Sequence, residues 1–162
     1  MRWVVFILFL IPSALRAEEE CFKVTNVFTD PNAPKALVQA YDEVIEALER
    51  FPSLLAALEV HLHTLCLSEN LDNAHGYFEV EKNRIYLSDQ LSHEMKVGVL
   101  LHEIRHLGQS AIGICPSDTL AMEEYARATL ALEADASAVS LLVAWDMKEN
   151  GNGGPWAALS AW

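Results

Sequence analysis

The stretch that decides the fold runs from Ser92 to Gln109 and reads SHEMKVGVLLHEIRHLGQ. Ser92 carries a hydroxyl that favours a helix N-terminus, and Gly108 favours a helix C-terminus. These signals predict one helix over residues 93–109. His102 and His106 lie four residues apart, slightly more than one helical turn, so both imidazoles project from the same face of this helix.

His102, Glu103 and His106 form the pattern HExxH. Two imidazoles at this spacing can hold one Zn²⁺ ion. Glu103 is offset by about 100° from His102, so its carboxylate borders the metal and can act as general base and acid without binding it. The alternative interpretation is an amphipathic helix whose histidines are ordinary half-buried polar residues.

A catalytic zinc site usually has a third protein ligand. Metzincins place a glycine three residues and a histidine six residues after the second histidine, whereas this chain has Gln109 and Ile112 at those positions. The remaining common choice is a carboxylate on a later helix, which here offers Glu123, Glu124, Glu133 and Asp135.

Helical periodicity separates three of these carboxylates. Glu124 and Asp135 share a face, because eleven residues make about three turns, whereas Glu133 lies on the opposite face. Glu133 stands among small residues that allow close helix packing, and a metal ion would offset the cost of burying its charge. We therefore predict Glu133 as the third ligand, with a solvated surface glutamate as the alternative. Asp135 is predicted either as solvated or as an acceptor for a ligand histidine N–H.

The rest of the chain alternates between helical and strand-like patterns. The first predicted elements are an amphipathic helix at 36–50 and, within 54–67, a short helical turn followed by a strand. A hairpin of 77–80 and 84–87 and the helix at 93–109 come next. The last predicted element is a long helix that is capped by Asp118 or Thr119 and ends near Met147. This order predicts an α+β fold: an N-terminal helix, a small antiparallel sheet, the HExxH helix and a long C-terminal helix carrying Glu133. His61 and His63 alternate on the predicted strand, as half-exposed polar residues or as a second metal site.

Residues 1–17, MRWVVFILFLIPSALRA, have the layout of a secretory signal peptide. Arg2 precedes an apolar run, Trp3–Ile11, that is shorter than the about 20 residues needed to span a bilayer. We expect cleavage after Ala17, a single domain over residues 18–162, and a periplasmic or secreted protein without stable membrane association. The alternative is an N-terminal membrane anchor.

Three cysteines, Cys21, Cys66 and Cys115, follow this segment. In an exported chain one disulfide and one remaining thiol are expected, and the spacing leaves the pairing open.

The composition excludes several classes of protein. The hydrophobic share of 52% excludes intrinsic disorder. The net charge is −12, and loss of Arg2 and Arg16 with the N-terminal segment would make it −14. This acidity argues against binding nucleic acids or anionic membranes. The oligomeric state stays open.

LLHEIRHLGQ at residues 100–109 and LEADASA at 132–138 together resemble small gluzincin-type zinc metallopeptidases. One bacterial family of unknown function has a similar hairpin, HExRH helix and EADA-containing helix, and the repressor-cleaving metallopeptidases are similar in their third-ligand motif. The resemblance covers residues 71–147 and implies that His102, His106 and Glu133 bind the metal while Glu103 is the catalytic base. The commoner ExxxD form of the motif, aligned on Asp135, would need Glu at position 131, which is Ala. The assignment of Glu133 as the third ligand therefore rests on the tighter EAD form.

The sequence thus predicts an exported zinc-dependent metallopeptidase that acts on a peptide or protein substrate. The alternatives are a secreted zinc-stabilised binding module without turnover and, from the acidity alone, an immunity or inhibitor protein. Residues 77–80 or 84–87 would bind the substrate backbone as an added strand, or would form a purely structural hairpin. The candidates for stabilising the oxyanion intermediate are His75, His93 and Tyr125.

Overall fold

Helices and strands alternate along the chain in an α+β arrangement. The computed structural model describes residues 20–26, 30–71 and 74–161, so the predicted signal peptide lies outside the described residues. The helices are α1 (Lys35–Leu48), α2 (Pro52–His61), α3 (His93–Ala111), α4 (Met122–Glu149) and α5 (Gly154–Ser160). The strands are β1 (Glu20–Lys23), β2 (Thr64–Ser68), β3 (Gly76–Glu79) and β4 (Arg84–Ser88).

The four strands of the described residues form one sheet in the order β1-β2-β4-β3. The predicted hairpin is confirmed, because β3 and β4 pair antiparallel and are joined through a 3-10 turn at Val80–Lys82. The prediction of a wholly antiparallel sheet is wrong, since β2 and β4 run parallel. β4 lies inside the sheet, between β2 and β3, and β3 forms one edge of the sheet.

The predicted helix-to-strand boundary within residues 54–67 is also wrong. Leu58, Val60 and Leu62 alternate in the sequence as they would on one strand face, but Leu58 and Leu62 are buried while Val60 is 67% exposed. This is helical spacing, in which residues four apart share a face. Accordingly α2 continues to His61 and β2 begins only at Thr64.

The helix ends follow the sequence signals in one case and not in another. Ser92 caps α3 as predicted, with its hydroxyl accepting from the Met95 N–H at 3.2 Å. The prediction that Asp118 or Thr119 caps α4 is wrong, because α4 begins at Met122 after Ala121. Thr119 is instead engaged in a local turn, where its N–H donates to the Ser117 hydroxyl at 3.2 Å. Side chains of this type often satisfy nearby backbone groups in turns rather than at helix ends.

Helix α3 lies at the centre of the molecule and packs against α1, α2, α4, α5 and the β3–β4 hairpin. It contributes Val97, Leu100, Leu101, Ile104 and Leu107 to the hydrophobic core, all at most 1% exposed. This burial fixes the helix on both sides of the HExxH motif. The motif is therefore presented from a rigid element, with β3 on one flank and α4 on the other.

The structure also resolves the cysteine pairing. Cys21 and Cys66 are direct partners in the β1–β2 register and form a disulfide. Cys115 is free and exposed. The expectation of one disulfide and one remaining thiol is confirmed.

Candidate metal centre

The two histidines of α3 and one carboxylate of α4 converge on a common point. His102 Nε2 and His106 Nε2 lie 3.0 Å apart. Glu133 Oε2 lies 3.3 Å from the first of these atoms and 3.4 Å from the second. The three side chains thus form a group that can hold a metal ion.

These separations match the requirements of zinc. Ligand atoms placed about 2.0–2.1 Å from a tetrahedral zinc ion are separated from one another by about 3.3 Å. The separations of 3.0, 3.3 and 3.4 Å are close to this value without any rearrangement of the helices. Two imidazole nitrogens and one carboxylate oxygen are also the donor set of many catalytic zinc sites.

Burial keeps His102 in the form that binds metals. Its pKa is lowered because the ring is desolvated and because His106 stands beside it, although Glu133 acts in the opposite direction. A lowered pKa favours the neutral imidazole, whose free lone pair can bind a cation.

Gln109 fixes the orientation of His106. The Gln109 amide nitrogen donates to the Leu132 carbonyl at 3.1 Å and to Asp135 Oδ2 at 2.8 Å. Its oxygen therefore faces His106 Nδ1, at 2.8 Å, and can only accept. The proton of His106 must then sit on Nδ1, which leaves the lone pair of Nε2 directed at the convergence point.

A hydrogen-bond acceptor for His106 would contact that histidine directly. Asp135 does not, and acts through Gln109 instead. Its carboxylate accepts from Gln109 and, at 2.6 Å, from Arg105 Nε. The pKa of Asp135 is lowered chiefly by the hydrogen bond from Arg105. The hydrogen bond predicted between Asp135 and a histidine of the motif is thus made by Gln109 instead.

Glu103 lies beside the three converging atoms and is 6% exposed. Burial, together with the nearby charge of Glu133, raises its pKa to about 8. The backbone N–H of Phe78 on β3 hydrogen-bonds to its carboxylate, which acts in the opposite direction. The edge strand thereby holds Glu103 in place next to the histidines.

A cavity of about 500 Å³ opens in front of this group. Its walls come from α3, from α4 and from the edge strand β3, and they include His75, Tyr77, Phe78, Val99, Cys115 and Leu132. Most of the exposed wall is apolar, and its polar side chains include the converging His102, His106 and Glu133 together with Glu103, His75, Gln109 and Ser110. A cavity of this size can take part of a peptide chain.

The other polar residues considered from the sequence lie elsewhere. Glu123 pairs with Arg127 at 2.5 Å on the exposed surface of α4. His61 ends α2 and His63 lies before β2, so they do not share a strand face as predicted.

His93 pairs with Glu43 of α1 at 2.7 Å, and Tyr125 is 44% exposed on α4. Of the three oxyanion candidates, His75 is the one that lines the cavity.

Sequence reasoning missed the structural role of Gln109, which it used only to exclude metzincins. One signal was available: Gln109 lies three residues after His106 on a helix, a spacing at which side chains are neighbours. Its hydrogen bonds to α4 had no sequence signal, because they depend on how the two helices pack.

Comparison with known proteins agrees with this geometry. No curated protein and no solved structure matches the chain. One family model, described as "Putative metallopeptidase family (DUF6782)", matches residues 15–162. The match covers nearly the whole chain, including both histidines of the HExxH helix and Glu133 on α4, and the chain therefore belongs to this metallopeptidase family.

Proposed function

We propose that the protein is a zinc-dependent peptidase that hydrolyses peptide bonds with Glu103 as general base and acid. The observation that carries this proposal is the convergence of His102, His106 and Glu133 at separations suited to one zinc ion, with Glu103 buried beside them. Family membership supports peptides as the substrate class.

The residues divide the chemistry between them. Bound zinc would supply a Lewis acid for the scissile carbonyl and would lower the pKa of water. His102, His106 and Glu133 would hold the ion, and Gln109 would keep His106 in the required tautomer. Glu103 would accept the proton of the attacking water and then deliver it to the leaving amine. His75, which lines the cavity, would stabilise the oxyanion.

The edge strand β3 would bind the substrate backbone. Among the described strands β3 pairs with β4 on one side, and its other edge, where the Phe78 N–H bonds to Glu103, faces the cavity that it lines. An extended peptide can add to such an edge through main-chain hydrogen bonds. The prediction that residues 84–87 could do this instead is wrong, because β4 lies between β2 and β3.

We further propose that residues 1–17 direct export and are removed, leaving a periplasmic or secreted domain of residues 18–162. The Cys21–Cys66 disulfide supports this, since structural disulfides persist in oxidising compartments. Sequencing the N-terminus of the protein recovered from the periplasm or medium should give Glu18 as the first residue. An intact N-terminus in the cytosol would contradict the proposal.

Metal analysis combined with peptide hydrolysis tests the catalytic proposal. The purified chain should bind about one zinc ion, and the His102→Ala variant should lose it. The Glu103→Gln variant should keep the metal while hydrolysis of a peptide library, read by mass spectrometry, falls by about 10²-fold or more. Glu124→Gln is the matched control, because Glu124 is an exposed glutamate of α4 outside the cavity, and this variant should retain both properties.

Two results would refute the catalytic proposal. A wild-type chain that binds no zinc would remove its basis. A chain that binds zinc but hydrolyses no peptide, with or without Glu103, would identify the alternative of a zinc-stabilised binding module, whose folding depends on the metal.

A further inference from the structure

The outward face of α4 has an unusual composition. Seven residues at successive helical spacings share this face, and all are exposed: Arg127, Ala131, Ala134, Ala138, Leu142, Trp145 and Glu149. The five from Ala131 to Trp145 are uncharged, and they include two large side chains, Leu142 at 57% and Trp145 at 43% exposure. The opposite face, with Ala136, Ser140 and Ala144, is buried. Trp145 packs edge-on against Trp156 of α5 and has the Lys148 ammonium 4.3 Å from its ring centroid, and its remaining exposed surface continues the apolar face. An exposed apolar face of this kind indicates a contact surface.

The seven positions are symmetric about Ala138. Counting outward from it in either direction, the next positions come after four, seven and eleven residues. If two copies of α4 met antiparallel at Ala138, Ala134 would face Leu142 and Ala131 would face Trp145 of the other copy. Each large side chain would therefore meet a small one.

The charges at the two ends follow the same symmetry. Arg127, which already pairs with Glu123 of its own helix, would also face Glu149 of the second copy at both ends of the contact, which gives two intermolecular ion pairs around an uncharged centre. Complementary size and charge under one two-fold operation are what a self-complementary interface requires.

We propose that this face of α4 is a homodimer interface, in which α4 packs antiparallel against α4 of a second copy about a two-fold axis at Ala138. The small side chains at the axis allow the helix axes to approach to about 8 Å. Because Glu133 projects toward α3 from the other side of the helix, the contact leaves the metal centre and its cavity open.

The charge of the chain favours this face over others for self-association. With a net charge of −12, two copies repel each other wherever acidic surfaces meet, whereas the five residues of this face from Ala131 to Trp145 are uncharged and Asp135 at their rim is paired with Arg105.

A lipid bilayer fits this surface less well than a second copy. By length and apolar composition α4 resembles a membrane-spanning helix. However, Glu133 and Asp135 lie within it, and its other face packs against α3 in the core.

The size of the face predicts a reversible dimer. The 22 residue steps from Arg127 to Glu149 span about 33 Å, and a helix about 12 Å wide then buries roughly 400 Å² per copy. This is below the size of a standard stable interface and belongs to weak, transient complexes. Dimerisation should therefore depend on protein concentration.

Sedimentation of the full chain over a wide concentration range tests the proposal. The wild type should pass from monomer to dimer as concentration rises. Ala138→Arg should weaken the dimer by about 100-fold or more, because it places two guanidinium groups at the axis. Ala36→Arg, which changes an exposed alanine of α1, is the matched control and should leave the dimer unchanged. A wild type that stays monomeric, or association that is equal in both variants, would overturn the proposal.

Cysteine cross-linking in a Cys115→Ser background tests the antiparallel arrangement. Ala138→Cys should form an intermolecular disulfide on oxidation, because the two copies meet at this residue. Ala131→Cys should not, because the two thiols would be about 21 Å apart along antiparallel helices. Cross-linking of both variants would indicate parallel helices and reject the symmetry. Binding of a monomeric wild type to neutral vesicles, lost in Ala138→Arg, would assign the face to lipid and also overturn the proposal.

Discussion

Gln109→Leu should weaken zinc binding without touching any of the three proposed ligands. The substitution removes the acceptor at 2.8 Å from His106 Nδ1, together with the two donors that hold Gln109 to Leu132 and Asp135. Loss of a hydrogen-bonding partner behind a ligand histidine typically costs 10–100-fold in metal affinity, or about 1.4–2.7 kcal/mol. Gln109 is 1% exposed, so water has little access to replace the lost partner.

Zinc affinity measured by competition with a chromophoric chelator gives the result directly. Gln109→Glu provides a rescue: it keeps an acceptor toward His106 and should retain most of the affinity, although its carboxylate meets Asp135 and lowers stability. Lys96→Met is the matched control on the same helix. Lys96 is buried and donates to the carbonyls of Asp89 and Leu91, so its loss should destabilise the fold by about 1–3 kcal/mol and leave zinc affinity unchanged.

Two outcomes would refute the orienting role of Gln109. Zinc affinity within about twofold of wild type in Gln109→Leu would mean that His106 is held by packing alone. An equal loss of affinity in Lys96→Met would mean that general destabilisation, and not the histidine tautomer, controls binding.

Three further predictions concern the metal and the fold. Glu133→Gln should weaken zinc binding by more than roughly 100-fold, which is the largest loss typical of removing a residue that only supports a metal ligand. Titration showing a smaller loss would exclude Glu133 as a ligand. Replacing Cys21 and Cys66 by alanine should cost about 4 kcal/mol, because the disulfide joins residues 45 positions apart, and an unchanged guanidinium midpoint would contradict this. Gly98→Ala would place a Cβ 2.7 Å from Leu159 Cγ and should cost about 1–3 kcal/mol as α5 shifts from α3, whereas an unchanged melting temperature in calorimetry would show that α5 adapts freely.

The arrangement of the candidate metal centre could be predicted from the sequence because it depends on short-range helical periodicity. His102 and His106 share a face in any helix, and the capping of α3 by Ser92 made the helix itself predictable. The choice of Glu133 also followed from periodicity, since it lies on the face with small residues that packs against α3, but the burial expected for its charge is wrong, because its side chain is 51% exposed. The cavity, by contrast, requires β3 to stand at the edge of the sheet, which no local pattern specifies.

The parallel pairing of β2 with β4 illustrates why the sheet could not be derived. β3 follows β2 in the chain, and sequential strands pair in most proteins. Here β4 occupies the place beside β2, and β3 is displaced to the edge next to α3. That choice is made by tertiary packing of the hairpin on α3, and it is also what brings Phe78 within hydrogen-bonding reach of Glu103.

Asp135 shows the limit of assigning contacts from helical angle. Periodicity places Asp135 and Glu133 about 160° apart on α4, yet both contact α3. Glu133 faces α3 directly, whereas Asp135 lies at the rim and is reached by Arg105, whose long side chain extends around the side of the contact. The ion pair is partly exposed, with the two side chains at 28% and 40%, so its own contribution to stability is small. Its consequence lies in the hydrogen bond that Asp135 also accepts from Gln109, because that bond turns the glutamine oxygen toward His106 and so connects the rim of the contact to the metal centre.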